Sequence, residues 1–325
     1  MLIVRTPLRI SLVGGGTDIP AIYKEIGYGK VLSLAINKYI YLSVHPLIED
    51  EDILLKYRLT EKVSQASSLK HPSAREVLMK FKLKSLDISI TSDIPAGTGM
   101  GSSSSFTVGM LHMIYEYLKL KYDKKLIAEL ACEIEINKLK EPIGKQDQYI
   151  ASLGGIQNLL FKSTEEVLNT NLGDNFSLIQ EVSKYLHLVR VGKERSAGKL
   201  LSIQQENMKN KPSILKSYVD LIKLSDLAVD SLLRKDFHSL GEIISESWSI
   251  KRGLSENISN SEIDEIISGG LEMGAWGGKL LGAGGAGFIF FLGDDDFEQQ
   301  LRKKFPNRYL KVQVDEFGSK VVYNE

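Results

Sequence analysis

Apolar and polar residues alternate from Leu86 to Ser92, in the order Leu86, Asp87, Ile88, Ser89, Ile90, Thr91, Ser92. Successive side chains of an extended chain point to opposite faces, so this stretch reads as a strand with one buried face. Similar runs predict strands at Leu2–Thr6, Ile10–Val13, Val31–Ile36, Ile40–Val44, Ile53–Tyr57 and Ile156–Phe161. The apolar period becomes helical at Ala74–Phe81, Ser103–Lys121 and Lys124–Leu139. In the second of these, Phe106, Met110, Leu111, Ile114 and Leu118 form the apolar side. From Ser163 to Lys184 the chain turns polar and carries a turn signal at Gly173, Asp174 and Asn175. We place a domain boundary there, between residues 1–172 and 173–325. Beyond it the pattern is mainly helical, over Ala197–Met208, Ser213–Arg234, Phe237–Leu254, Ser261–Met273 and Phe297–Phe305. Strands are expected at Lys279–Leu281, Gly287–Leu292, Leu310–Val314 and Val321–Tyr323. Elements that cluster, without strict alternation, predict two α+β domains.

Composition narrows the function classes. A chain of 325 residues can hold two cores. Lys plus Arg equals Asp plus Glu, 41 each, with no long block of one sign, so neither nucleic acid nor an anionic membrane is an expected partner. No apolar run approaches the length of a membrane span, and the first residues are broken by Arg5, Pro7 and Arg9, unlike a signal peptide. A lone cysteine, Cys132, excludes an internal disulfide and suits a reducing cytosol. The expectation is a cytoplasmic enzyme or binding protein. The five histidines are scattered, so zinc is not expected, and Cys132 beside Ala131 reads as core.

The chemistry concentrates in five places. Residues 95–105 read PAGTGMGSSSS between a strand and a helix. Gly97, Gly99 and Gly101 allow sharp turns and close approach, and serines then open a helix whose N-terminus favours an anion. A phosphate cradle competes here with a polar, serine-capped turn. Residues 9–18 read RISLVGGGTD, where Asp18 could hold a polyol or cap the helix after Pro20. In GKQDQ, residues 144–148, Asp147 could take a proton from a hydroxyl, with Lys145 as its neighbour, or serve as a helix cap. On the Lys124–Leu139 helix, Glu133 faces polar neighbours, whereas Glu135 shares its side with Ala131, Cys132 and Leu139. A carboxylate so placed needs a partner, either a Mg²⁺ ion or an internal cation such as Lys138. Finally, residues 277–288 turn through Gly282, Gly284, Gly285 and Gly287.

In this order the motifs resemble the three signature blocks of the GHMP kinases, a superfamily that includes galactokinase, homoserine kinase and mevalonate kinase. The blocks here are TPLRISLVGGGTD, PAGTGMGSSS and GAGGAG, and the resemblance spans residues 5 to 288. GGGTD, GKQDQ, the RSAGKLL run from Arg195 and GAWGGKLLGAGG are similar to a narrower branch, the heptose 7-phosphate kinases, with fucokinase-type enzymes nearby. The resemblance implies an N-terminal domain like domain 2 of ribosomal protein S5 and a ferredoxin-like C-terminal domain. It implies ATP and Mg²⁺ as cofactors and a small sugar phosphate as substrate, and it allows a homodimer. Pro95, Gly97, Gly99, Gly101, Ser102, Ser103 and Ser104 would hold the nucleotide, with Ser103 and Glu135 on the metal. Asp147 would be the base and Arg9 its companion at the transferred phosphoryl group. Gly15, Gly16, Thr17, Asp18 and Gly284 would face the substrate. Galactokinase carries Glu and His where this chain has Gly15 and Gly16, which points away from galactose. Lys193 with Arg195, or Lys251 with Arg252, are candidate cations for a distal phosphate. A kinase for fucose or another sugar and a non-catalytic sugar and ATP sensor remain the alternatives.

Overall fold

The computed structural model describes residues 1–48, 50–192, 212–255 and 258–325. The expected helix Ala197–Met208 and the candidates Lys193 and Arg195 lie outside the described residues. Two sheets organise the rest. The larger has eight strands in the order β12-β1-β2-β5-β3-β4, with β6 on β2 and β7 on β6. Its strands are β1 (Leu2–Val13), β2 (Tyr28–Pro46), β3 (Ile53–Lys56), β4 (Thr60–Val63), β5 (Leu86–Ser92), β6 (Ile156–Lys162), β7 (Val167–Asn171) and β12 (Lys320–Asn324). The smaller joins β8 (Leu186–Val191), β9 (Gly277–Leu280), β10 (Gly287–Leu292) and β11 (Tyr309–Lys311) in the order β11-β8-β10-β9, all antiparallel.

Several expected boundaries move. Pro7 does not end the first strand: β1 runs through it, and the pairing with β2 slips between Pro7 and Leu8, from Tyr39 to Ile36. An irregularity of this kind absorbs a residue that cannot donate to the ladder. The strands expected at Val31–Ile36 and Ile40–Val44 are likewise one, β2, which pairs with β6 over residues 28–34 and with β5 over residues 40–46. The helix α4 (Lys124–Cys132) passes into a π-helical turn, Glu133–Lys138, without reaching Leu139 as regular α-helix. The polar stretch at the expected boundary holds β7 and the helix α6 (Phe176–Val182), β8 is an additional strand, and α5 (Gln146–Leu153) is the helix implied only by the alternative reading of Asp147 as a cap. The last strand, β12, although in the segment 173–325, pairs with β1 in the first sheet.

The other helices are α1 (Pro20–Ile26), α2 (Pro72–Phe81), α3 (Ser102–Tyr117), α7 (Pro212–Leu233), α8 (Phe237–Arg252), α9 (Ser261–Glu272) and α10 (Asp295–Lys304). The small sheet is buried on both faces. Leu186, Leu188, Phe288, Phe290 and Leu292 join the main core, which continues into β1, β2 and α3. The intervening Val189, Val191, Ile289 and Phe291 join a second core with Tyr218, Trp248 and Phe297. The two-residue period of a strand thus sends alternate side chains into two different cores. Because the main core crosses from one sheet to the other, the domains meet through packed apolar surface and frame a cleft.

Candidate active site

The two glycine-rich loops meet backbone to backbone. Gly97, Gly99 and Gly101 have φ of 76°, 77° and 75°, a region that other residues enter only with strain. A Cβ on Gly99 would stand 2.7 Å from the Leu281 carbonyl oxygen, and one on Gly282 would stand 2.5 Å from the Gly99 Cα. The glycines are therefore required for the contact between the loops as well as for the turns. The 95–101 loop delivers the N-terminus of α3, capped by the backbone of Gly101. Ser102, Ser103 and Ser104 there line a cleft of about 360 Å³ with Gly97, Gly99 and Gly101. A helix of 16 residues opening on a cleft presents backbone N–H groups and its positive dipole end to an anion.

Arg9, from β1, and Asp147, from the first turn of α5, also line the cleft. The guanidinium grips the carboxylate with both prongs: Nε donates to Oδ1 at 2.7 Å and Nη2 to Oδ2 at 2.8 Å. Its Nη1 donates to the Gly99 carbonyl at 2.7 Å, tying the pair to the glycine loop. Planar, bidentate pairing of this kind fixes orientation as well as position. Gln146 adds a bond from Nε2 to Asp147 Oδ1 at 2.9 Å and accepts from Ser11 Oγ at 2.8 Å. Lys145 is not the partner that its place in the sequence suggested. It lies over the Tyr23 ring and donates to the Glu165 carbonyl.

Asp18 is buried and holds two loops together. Oδ1 accepts from the Gly16 N–H at 2.9 Å and Oδ2 from the Gln146 N–H at 3.0 Å. It caps the start of α5, not the helix after Pro20, whose cap carries no side-chain hydrogen bond. Burial raises its pKa, helped by the charge of Asp147, although the two backbone donors oppose the shift. Gly144 passes so close that a Cβ would fall 1.9 Å from Asp18 Oδ2.

Glu135 is buried in the π-helical turn. It accepts from Ser104 Oγ (2.8 Å), Thr107 Oγ1 (2.9 Å), Gln148 Nε2 (2.6 Å) and Ser103 Oγ (3.3 Å). Burial raises its pKa, and these donors pull the other way. Neutral donors therefore occupy the place considered for Lys138.

Not every expected site residue reaches the cleft. Thr17 is fully buried, its hydroxyl between the Gly14 and Lys30 carbonyls. Gly284 packs on the backbone of Ile258, and Gly282 and Ala283 line the cleft in its stead. The Pro95 carbonyl accepts from Thr98 within the loop. Arg252 turns outward to Asp264, at 3.2 Å, whereas Lys251 lines the cleft. Ser11, Gln146 and Glu141 were missed. Ser11 was legible in principle, since it lies two residues from Arg9 on the same strand face.

Residues 68–155 match the family described as "GHMP kinases N terminal domain" and residues 228–309 match "GHMP kinases C terminal". The chain belongs to the GHMP kinases. It is 31% identical over 319 residues to D-glycero-alpha-D-manno-heptose 7-phosphate kinase of Campylobacter jejuni subsp. jejuni, covering 92% of this chain and 91% of that protein. It is 26% identical to galactokinase of Pyrococcus furiosus, over 94% of this chain and 93% of the relative. The fold superposes on a D-glycero-D-manno-heptose 1-phosphate kinase from Bacteriodes thetaiotaomicron with a TM-score of 0.80, at 23% identity and full coverage of both chains. The kinase thus has the expected two-domain α+β fold, with the small sheet in ferredoxin-like order, and it is a sugar kinase. Among the described residues no helix is long and apolar enough to cross a membrane.

Proposed function

We infer that this GHMP kinase uses ATP to phosphorylate the anomeric hydroxyl of D-glycero-D-manno-heptose 7-phosphate. The product is the 1,7-bisphosphate, made in the cytoplasm toward nucleotide-activated heptose for surface polysaccharide. The observation that carries the reading is the bidentate Arg9–Asp147 pair beside the glycine loop and the α3 N-terminus. The extended likeness to the Campylobacter jejuni enzyme supports the choice of sugar.

When bound, ATP supplies the phosphoryl group and Mg²⁺ offsets the charge on its phosphates. The loop 95–101 and the first turn of α3 hold the phosphates through backbone N–H groups. Ser103 Oγ and Glu135 Oε1 are hard oxygen donors 3.3 Å apart, close enough for one small cation to take both. Asp147 would accept the proton of the anomeric hydroxyl as that oxygen bonds to the γ-phosphorus and the bond from phosphorus to the bridging oxygen breaks, with ADP as the leaving group. Arg9 keeps Asp147 aimed and faces the negative charge in transfer. Asp18, held by two backbone donors, shapes the sugar side of the cleft.

A non-catalytic sensor of the same fold has no need for this set, so Ser103, Glu135, Asp147 and Arg9 together favour turnover. The test measures ADP release with heptose 7-phosphate, unphosphorylated heptose, galactose and fucose, and reads the product position by NMR. Heptose 7-phosphate should give the highest kcat/KM with phosphate added at carbon 1. Preference for fucose or galactose overturns the substrate, and no turnover with any sugar overturns the kinase assignment of these residues.

A further inference from the structure

The C-terminal domain contributes two buried lysines, of which Lys251 lines the cleft, and neither forms an ion pair among the described residues. Lys251, on α8, is 9% exposed, and its Nζ donates to the Gly282 carbonyl at 2.8 Å. Lys279, on β9, is 2% exposed and donates to the Leu12 carbonyl at 3.0 Å. Neither stands within 4.0 Å of a carboxylate among the described residues. An ammonium carries three donors, and one buried without an anion is costly. Burial pushes the Lys251 amine down to about 8. Arg9 adds to the shift, and Asp18 and Asp147 oppose it. Burial lowers Lys279 further, reinforced by Lys251 and Arg9. Arg9 thus acts on both lysines and Lys251 on Lys279 in this corner, and the Asp147 carboxylate is already gripped by Arg9.

The first glycine block leaves Lys251 open. A Cβ on Gly15 would lie 3.8 Å from Lys251 Nζ and 2.8 Å from Ser11 Oγ. An acidic side chain at position 15 would reach the ammonium and neutralise it. With glycine there, the charge is available to whatever enters the cleft.

We propose that Lys251, backed by Lys279, binds a phosphate dianion of the reactants. This rests on the reading of the chain as a kinase of a sugar phosphate. Two sources share the chemistry: the phosphate that the sugar already carries, and the phosphoryl group in transit. Lys251 is then the C-terminal domain's charged contribution to a cleft that this domain otherwise lines with Gly282 and Ala283.

The test compares wild type with Lys251→Met, Lys251→Arg and Gly15→Glu, all checked for folding by thermal unfolding. Kinetics use heptose 7-phosphate and unphosphorylated heptose, and calorimetry measures ATP binding. If the sugar's own phosphate is held, Lys251→Met raises KM for heptose 7-phosphate about 10- to 100-fold and leaves the unphosphorylated sugar nearly unchanged, the loss expected of a charge-assisted bond. If the phosphoryl group in transit is held, kcat falls by a similar factor with both acceptors and ATP affinity stays. Lys251→Arg should restore much of either loss. Gly15→Glu, which keeps the lysine but neutralises it, should reproduce the loss even where Lys251→Met fails to fold. In wild type the same parameter should worsen above about pH 8, as Lys251 loses its proton in the field of the neighbouring Arg9, Asp18 and Asp147. A folded Lys251→Met with unchanged kcat and KM for both acceptors, or a Gly15→Glu enzyme that matches wild type, overturns the proposal. A wild type that prefers unphosphorylated sugar refutes the substrate reading and the first source together, and leaves the second to stand or fall on kcat.

Discussion

At the scale of single residues, the site depends on carboxylates whose surroundings differ. Asp147 lies at the cleft and is fixed by Arg9 and Gln146. Asp147→Asn keeps the shape but cannot accept a proton, so kcat should fall about 10²- to 10⁴-fold. ATP affinity by calorimetry should stay near wild type. A variant with wild-type kcat would reduce Asp147 to a structural partner of Arg9. Glu135 and Glu133 offer an internal control, being two residues apart with opposite settings. Glu135 is 1% exposed beneath the serines, whereas Glu133 lies 3.9 Å from Lys80 at the surface. Glu135→Gln should shift the Mg²⁺ titration of activity to higher concentration, and Glu133→Gln should leave it in place. Coincident titration curves would remove Glu135 from the metal site.

At the scale of elements, the glycine loop has two duties, and substitutions should reveal both. A side chain on Gly99 meets the Leu281 carbonyl, and one on Gly101 approaches Asp147 Oδ2 at 3.0 Å. Gly99→Val should weaken ATP binding and also lower the unfolding temperature, since it forces the two loops apart. Gly101→Val should lower kcat as well, by displacing the base. Unchanged ATP affinity in both folded variants would move the nucleotide elsewhere. Helix α10 is tied to β11 through Glu298, which pairs with Arg302 and Lys311. Burial alone would raise its pKa, but hydrogen bonds from Lys311 and Arg302 outweigh that and hold it near 2, below the ordinary 4.5. A depressed carboxylate stabilises the fold fully above 4.5, and that contribution is lost as pH falls toward 2. Urea unfolding should show wild type and Glu298→Gln differing at neutral pH, by about 1–2 kcal/mol, and converging in acid.

At the scale of the molecule, the chain closes on itself. β12 pairs with β1, and Ser319, just before it, is buried with its hydroxyl 2.7 Å from His112 Nδ1 and 3.1 Å from Thr6 Oγ1. His112 in turn contacts the Tyr122 hydroxyl at 2.7 Å. Ending the chain after Gly318 would strip an edge from β1 and leave His112 and Thr6 without that partner. Stability should fall by about 2–4 kcal/mol, the order expected for buried groups left unpaired. The same truncation leaves every cleft residue in place, so kcat at low temperature should survive. An unfolding temperature equal to wild type would show that the closing strand contributes nothing.

The sequence by itself determined the local chemistry. Three glycines before a serine-led helix, a carboxylate on an apolar side of a helix, and an alternating strand ahead of the loop were readable because each depends on neighbours a few residues away. The family and the two-domain α+β fold were legible for the same reason, since the signature blocks are contiguous. Only the tertiary structure decided which groups meet. Lys145 is two residues from Asp147, yet Arg9, 138 residues away, is its partner, because pairing of β1 with β2 and packing of α5 on the sheet set that distance. Tertiary packing also overrode local signals, carrying β1 through Pro7 by a register slip and turning the end of the Lys124–Leu139 helix into a π-helical turn. Gly284 has the same glycine signal as Gly282 but a different neighbour, Ile258. Lys251 came to the cleft while Arg252 faced solvent, because adjacent residues of a helix point to different sides and only packing selects the one turned inward.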